Sequence, residues 1–132
     1  MKILHTHPPN IKTIMKKFPD VATMPGVVYT HGDTIYNPSG NDLPDHLIHH
    51  EQVHIRQQAL TNPRQWWGQY ISDENFRLEQ ELEAYREQYD FIKIHYNREQ
   101  RRALLDKLAT DLSGSMYGKI LDKKMAKELI GG

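Results

Sequence analysis

The sequence predicts an α+β fold that is predominantly helical, and three observations carry the prediction. Apolar residues recur at three- and four-residue spacing through most of the chain after Asn41. Two β-branched and aromatic triplets, Val27-Val28-Tyr29 and Thr34-Ile35-Tyr36, fall before that region. At 132 residues the chain is one domain, 1–132, large enough for a single core. A small N-terminal sheet is therefore expected to pack on the helix that follows it.

Each element has a local reason. Pro8-Pro9 opens an amphipathic segment from Asn10 to Phe18, with Ile11, Ile14, Met15 and Phe18 on one face, and Pro19 ends it. The two triplets flank Thr30-His31-Gly32-Asp33 and read as a β-hairpin. Asn37-Pro38-Ser39-Gly40-Asn41 is turn chemistry. A helix is expected from Asp42, as N-cap, to about Leu60, with Pro44 near its first turn. Thr61-Asn62-Pro63 interrupts it, and a short helix carries Trp66, Trp67, Tyr70 and Ile71. Adjacent helix positions do not share a face, so Trp66 and Trp67 are not expected both to face one core; core packing is the expected role, with a place lining a cleft as the alternative for one of them. Ser72-Asp73 caps a long helix from Glu74 to Tyr96, and Asn97 opens another to about Leu112. After Ser113-Gly114-Ser115 a final helix is expected over Lys119 to Ile130.

Composition removes several function classes. Lys+Arg and Asp+Glu balance at 17 each, so no global field draws the chain to nucleic acid or to an anionic membrane. The pairs Lys16-Lys17, Arg101-Arg102 and Lys123-Lys124 are too short to change that. There is no cysteine, which excludes disulfides, a thiol nucleophile and a Cys-type zinc site. No apolar run suits a signal peptide or a membrane span, so a cytoplasmic protein is expected.

His50-Glu51-Gln52-Val53-His54 is an H-E-x-x-H pentad. On a helix, His50 and His54 lie about 40° apart and share a face with Leu43 and Leu47. Two imidazoles so placed can bind one metal ion, with Glu51 beside them as a general base rather than a ligand. A hydrolytic zinc site needs three protein ligands and one open position. The downstream helix offers Glu79, Glu81, Glu83 and Glu87. Its apolar face is centred by Leu78, Leu82, Tyr85, Tyr89, Ile92 and Tyr96. Glu81 lies about 60° from that centre, Glu79 about 100°, Glu83 about 140° and Glu87 about 180°. Glu81 borders the buried side, where a carboxylate needs a cation, and Glu83 is the alternative. A pairing of Glu81 with Arg77, four residues earlier, is the competing structural explanation.

The pentad followed by a Glu on the next long helix resembles the gluzincin branch of zinc metallopeptidases. Glu81-Leu82-Glu83-Ala84-Tyr85 looks like the E-x-x-A-[DN] signature of compact zincins, in which the first Glu is the metal ligand. Tyr85 departs from it, standing where Asp or Asn orients a ligating histidine, so another group has to do this. More weakly, the chain is similar to small phage-encoded metallopeptidases, including His54-Ile55-Arg56-Gln57-Gln58 and Ser115-Met116-Tyr117-Gly118. The resemblance implies a minimal zincin-like domain with one Zn2+ on His50, His54 and Glu81. It implies hydrolysis of a peptide or protein substrate by a metal-activated water, with Glu51 moving the proton. Substrate would lie along a sheet edge, for which Thr34-Ile35-Tyr36 is the candidate, and Tyr36 or Tyr117 would donate to the oxyanion. Two other classes compete: a zinc protein that binds a peptide or partner without cleaving it, and a helical virion or assembly component whose pentad is accidental.

Overall fold

Capping side chains and prolines set most helix boundaries. The computed structural model describes residues 1–131. In chain order the elements are β1 (Lys2–Leu4), α1 (Ile11–Lys17), a 3-10 turn (Pro19–Ala22), β2 (Tyr29–His31), β3 (Thr34–Tyr36), α2 (Asp45–Ala59), α3 (Pro63–Ser72), α4 (Glu74–His95), α5 (Arg98–Leu112), a second 3-10 turn (Ser115–Tyr117) and α6 (Lys123–Gly131). The fold is α+β and mostly helical, with one small sheet.

Asn62 accepts from the Gln65 amide at the start of α3, and Asp73 accepts from Asn75 and Phe76 at the start of α4. Asn97 and Gln100 form a reciprocal capping box on α5. Two boundaries differ from expectation. Asp42 is not the cap of α2: Pro44 holds the extended cap position, and the helix begins at Asp45, whose carboxylate suits the first turn. The last helix starts at Lys123 rather than Lys119, because Lys119 sits at φ 55, outside the helical region, and Asp122 then accepts from the Met125 amide.

The hairpin is present but shorter than its sequence signature. Gly32, at φ 66, takes the first of the two loop positions, where β-branched residues do not fit. Val27 and Val28 precede the strand, and Lys2–Leu4 adds a third strand in parallel to β3. The resulting order, β1-β3-β2, overturns the expected substrate edge. Thr34, Ile35 and Tyr36 form the central strand, with a neighbour on each side, and cannot take up another chain by strand addition.

The helices pack around α4. Contacts from His50 to Gln88, His54 to Glu81 and Gln57 to Gln80 run in opposite senses along α2 and α4, so these helices are antiparallel. The sheet leans on α2 through Thr30 and Gly32 of the hairpin. A mainly apolar core, including Ile14, Phe18, Trp66, Trp67, Ile92, Leu108 and Leu112, fills the space between. Both tryptophans are buried in the same core, against the expectation that adjacent positions cannot both face it, and each indole nitrogen has its own acceptor: Gln80 for Trp66 and the Thr30 carbonyl for Trp67.

Candidate metal centre

The seam between α2 and α4 is where sequence periodicity and chemistry meet. Two helical turns of α2 bury His50, Glu51 and His54, and the facing side of α4 buries Arg77, Glu81, Ala84, Tyr85, Gln88 and Ile92. Glu81 therefore sits in the middle of the buried stripe, not at its margin. Apolar residues alone misplace the centre of this face, because half of what it buries is polar.

Three atoms converge there. His54 Nε2 is 3.2 Å from His50 Nε2, and Glu81 Oε1 is 3.2 Å from His50 Nε2 and 3.0 Å from His54 Nε2. Ligand atoms held tetrahedrally at ~2.0–2.1 Å from one ion would be about 3.3 Å apart. The triangle is thus close to the size that a single small divalent ion requires. Glu51 lies beside it, with Oε2 3.6 Å from His50 Nε2, and a buried His50–Glu51–His54 group could hold a metal ion. Glu81 approaches the imidazoles more closely than Glu51 does, so it completes the triangle and leaves Glu51 next to it. Glu83 is exposed and outside this group.

Arg77 does not neutralise Glu81. Its guanidinium turns away and donates to the carbonyls of Tyr117 at 3.0 Å and Tyr70 at 2.7 Å. Gly118 closes the Tyr117 turn at φ 90, and a Cβ there would crowd Arg77 Nη2 at 3.3 Å. Among the described residues, the ion pairs of Glu81 are with His50 and His54. Burial opposes ionisation of Glu81, but the two histidines outweigh it and hold the carboxyl well below the usual range. Burial likewise works against a charged His54, yet Glu81 carries the imidazole up to about 9 in the metal-free chain. Glu51 moves the other way: burial raises it, against the opposing pull of the histidines.

Every group at the site has a hydrogen-bond partner. Tyr70 donates to Glu81 Oε2 at 2.5 Å, leaving Oε1 for the triangle. Thr30 donates to Glu51 Oε1 at 3.0 Å. Two glutamines face the outer ring nitrogens: Gln88 Oε1 faces His50 Nδ1 at 2.9 Å and Gln57 Oε1 faces His54 Nδ1 at 2.8 Å. Gln57, three residues after His54, and Gln88, seven after Glu81, share faces with those two residues, so helical spacing offered a signal for both. Thr30, Tyr70 and Arg77 reach the site only through tertiary packing.

Above the triangle is a small cavity of about 60 Å³, with room for a few waters but not for a peptide. It abuts a larger cleft of about 620 Å³. Val27, Val28, His50, Glu51, Met116 and Tyr117 line both. Tyr117 is therefore near the site, its hydroxyl 2.8 Å from that of Tyr85, whereas Tyr36 lines neither space and is not placed for an oxyanion. No helix among the described residues is long and apolar enough to cross a membrane. No protein-family model, curated protein or solved structure matches this chain, so its residues alone carry the functional reading.

Proposed function

We propose that the chain is a zinc-dependent metallopeptidase of minimal, zincin-like architecture, in line with its resemblance to gluzincins. One observation carries the reading: two imidazole nitrogens and a carboxylate oxygen, 3.0–3.2 Å apart, with a second buried carboxylate alongside. His50, His54 and Glu81 would hold the ion. Two imidazoles and one carboxylate form a donor set that suits zinc. When bound, the ion supplies Lewis acidity, which acidifies a water and polarises a carbonyl.

The chain's own groups supply the rest. Glu51, aimed by Thr30, takes a proton from the attacking water and returns it to the leaving amine nitrogen. Burial raises its pKa in the metal-free chain, which strengthens the carboxylate as a base. Tyr85 can donate to the Tyr117 oxygen, which frees the Tyr117 hydrogen for an oxyanion in the cleft. The substrate edge moves from Thr34-Ile35-Tyr36 to Val27-Val28. These residues line the cleft, whereas further along β2 the Gln58 amide already pairs with Thr30 and Gly32.

A second reading is favoured by the enclosure of the triangle, whose three residues are each less than 5% exposed. On that reading the ion is structural and the cleft binds a peptide or partner without cleaving it. Glu51→Gln separates the two. Zinc content after dialysis should stay near one ion per chain, while cleavage of an unfolded protein falls by roughly 10²–10⁴-fold. Wild-type chain that holds zinc but cleaves a broad peptide library no faster than Glu51→Gln rules out the peptidase. Chain that retains no zinc rules out both readings.

A further inference from the structure

Gln57 is held in one orientation by groups that leave it no choice. Its amide nitrogen is 3.0 Å from the Gln80 carbonyl oxygen and 2.7 Å from Glu83 Oε1. Both can only accept, so a turned amide would set oxygen against oxygen and lose both bonds. Gln57 Oε1 must therefore face His54 Nδ1, at 2.8 Å. That nitrogen has to carry a proton, and a neutral His54 has to direct its Nε2 lone pair at Glu81 and His50. The His50 side is built differently. Gln88 Nε2 is 2.8 Å from His46 Nδ1, a ring nitrogen that can either donate or accept, so Gln88 can turn without losing its partner.

We propose that Glu83, acting through Gln57, is a positioning residue that sets the tautomer and ring direction of His54 for metal binding. The proposal rests on the metal-site reading above and assigns a role to a carboxylate that is otherwise an exposed surface group. Glu83 does not touch the ion. It fixes the amide, and the amide fixes the imidazole. It is thus the carboxylate end of an outer shell in which Gln57 replaces the direct acid–histidine contact.

The test compares Gln57→Leu, Glu83→Ala, Glu83→Gln and the control Glu87→Gln, whose carboxylate pairs with exposed Arg56 one turn along α4. Two quantities are read: Zn2+ affinity by competition with a chromophoric chelator, and the His54 Nδ1–H resonance of the zinc-loaded chain by 15N NMR. Gln57→Leu should weaken zinc by about 10–100-fold and move or broaden that resonance. Glu83→Ala should weaken it by roughly tenfold, and Glu83→Gln, which still offers an acceptor, should recover most of the loss. Glu87→Gln should match the parent. Should Gln57→Leu fail to fold, the exposed Glu83 variants carry the test. The relay is overturned if Gln57→Leu and Glu83→Ala bind within about twofold of the parent with the resonance unmoved. It also falls if Glu83→Gln is as weak as Glu83→Ala. A parent that takes up no zinc defeats the metal-site reading and the relay together.

Discussion

The chain closes two helical seams with opposite chemistry. Between α5 and α6 it buries Leu108, Ala109, Leu112, Ala126 and Ile130. Between α2 and α4 it buries His50, Glu51, His54, Gln57, Glu81 and Gln88. Apolar burial is favourable at about 25 cal/mol per Å², whereas buried charges at best break even against apolar replacements. The first seam therefore stabilises the fold and the second draws on that stability. A domain of this size has little to spare, so such a concentration of paired polar groups is itself a reason to look for chemistry there.

The largest expected effect lies in the apolar seam. Leu112 is 1% exposed on α5, and Leu112→Ala should cost about 2–5 kcal/mol in denaturant unfolding. Zinc affinity of the variant that remains folded should be unchanged. A loss below about 1 kcal/mol would mean that this seam is not what holds the chain together.

The polar seam should respond to pH where the apolar one does not. His54 of the metal-free chain is carried from 6.5 to about 9 by Glu81, with Glu51 and the Gln57 hydrogen bond adding to it. A raised pKa means that this pairing stabilises the metal-free fold fully below pH 6.5 and is lost as pH rises through about 9. Zinc needs the unprotonated ring, so its affinity runs the other way. It should rise about tenfold per pH unit across that window, roughly 300-fold in all, and level off above it. Chelator competition from pH 6 to 9.5, with melting curves of the metal-free chain over the same range, measures both slopes. Affinity that is flat across the window would show that no proton is displaced from His54.

The two seams also differed in how far the sequence disclosed them. Helical order, the Asp73 and Asn97 caps, the shared face of His50 and His54 and the inward lean of Glu81 follow from local pattern. Local pattern fails where partners are distant. Strand β1, three residues with none buried, has no amphipathic signature, so its pairing with β3 and the loss of the expected Thr34–Tyr36 edge were not legible. Glu83 looked like a spare ligand because a helical wheel reports direction but not which neighbour lies there. Only the α2 partner shows that it faces Gln57. Tyr70 and Thr30, which aim Glu81 and Glu51, arrive from elements whose own sequence gives no hint of the site.

The smallest expected effect separates function from architecture most directly. Replacing His50 and His54 by Leu, Glu51 by Gln, Glu81 by Met and Tyr70 by Phe removes the polar triangle at similar volume and leaves no buried carboxylate without its histidine partners. Such a replacement of a buried ion pair is commonly neutral or stabilising by about 1–4 kcal/mol. Tyr70 is included because its hydroxyl would otherwise lose the Glu81 oxygen that it now bonds. Gln57 and Gln88 keep their contacts to Glu83 and His46 but lose one acceptor role each, which moves the expected gain toward the lower end, about 1 kcal/mol. Measured in chelator at pH 8, the variant should unfold at the same or higher denaturant concentration than the metal-free parent, and should bind no zinc. If it is instead less stable by more than about 2 kcal/mol, the polar seam holds the fold together on its own account, and its histidines need no metal to explain them.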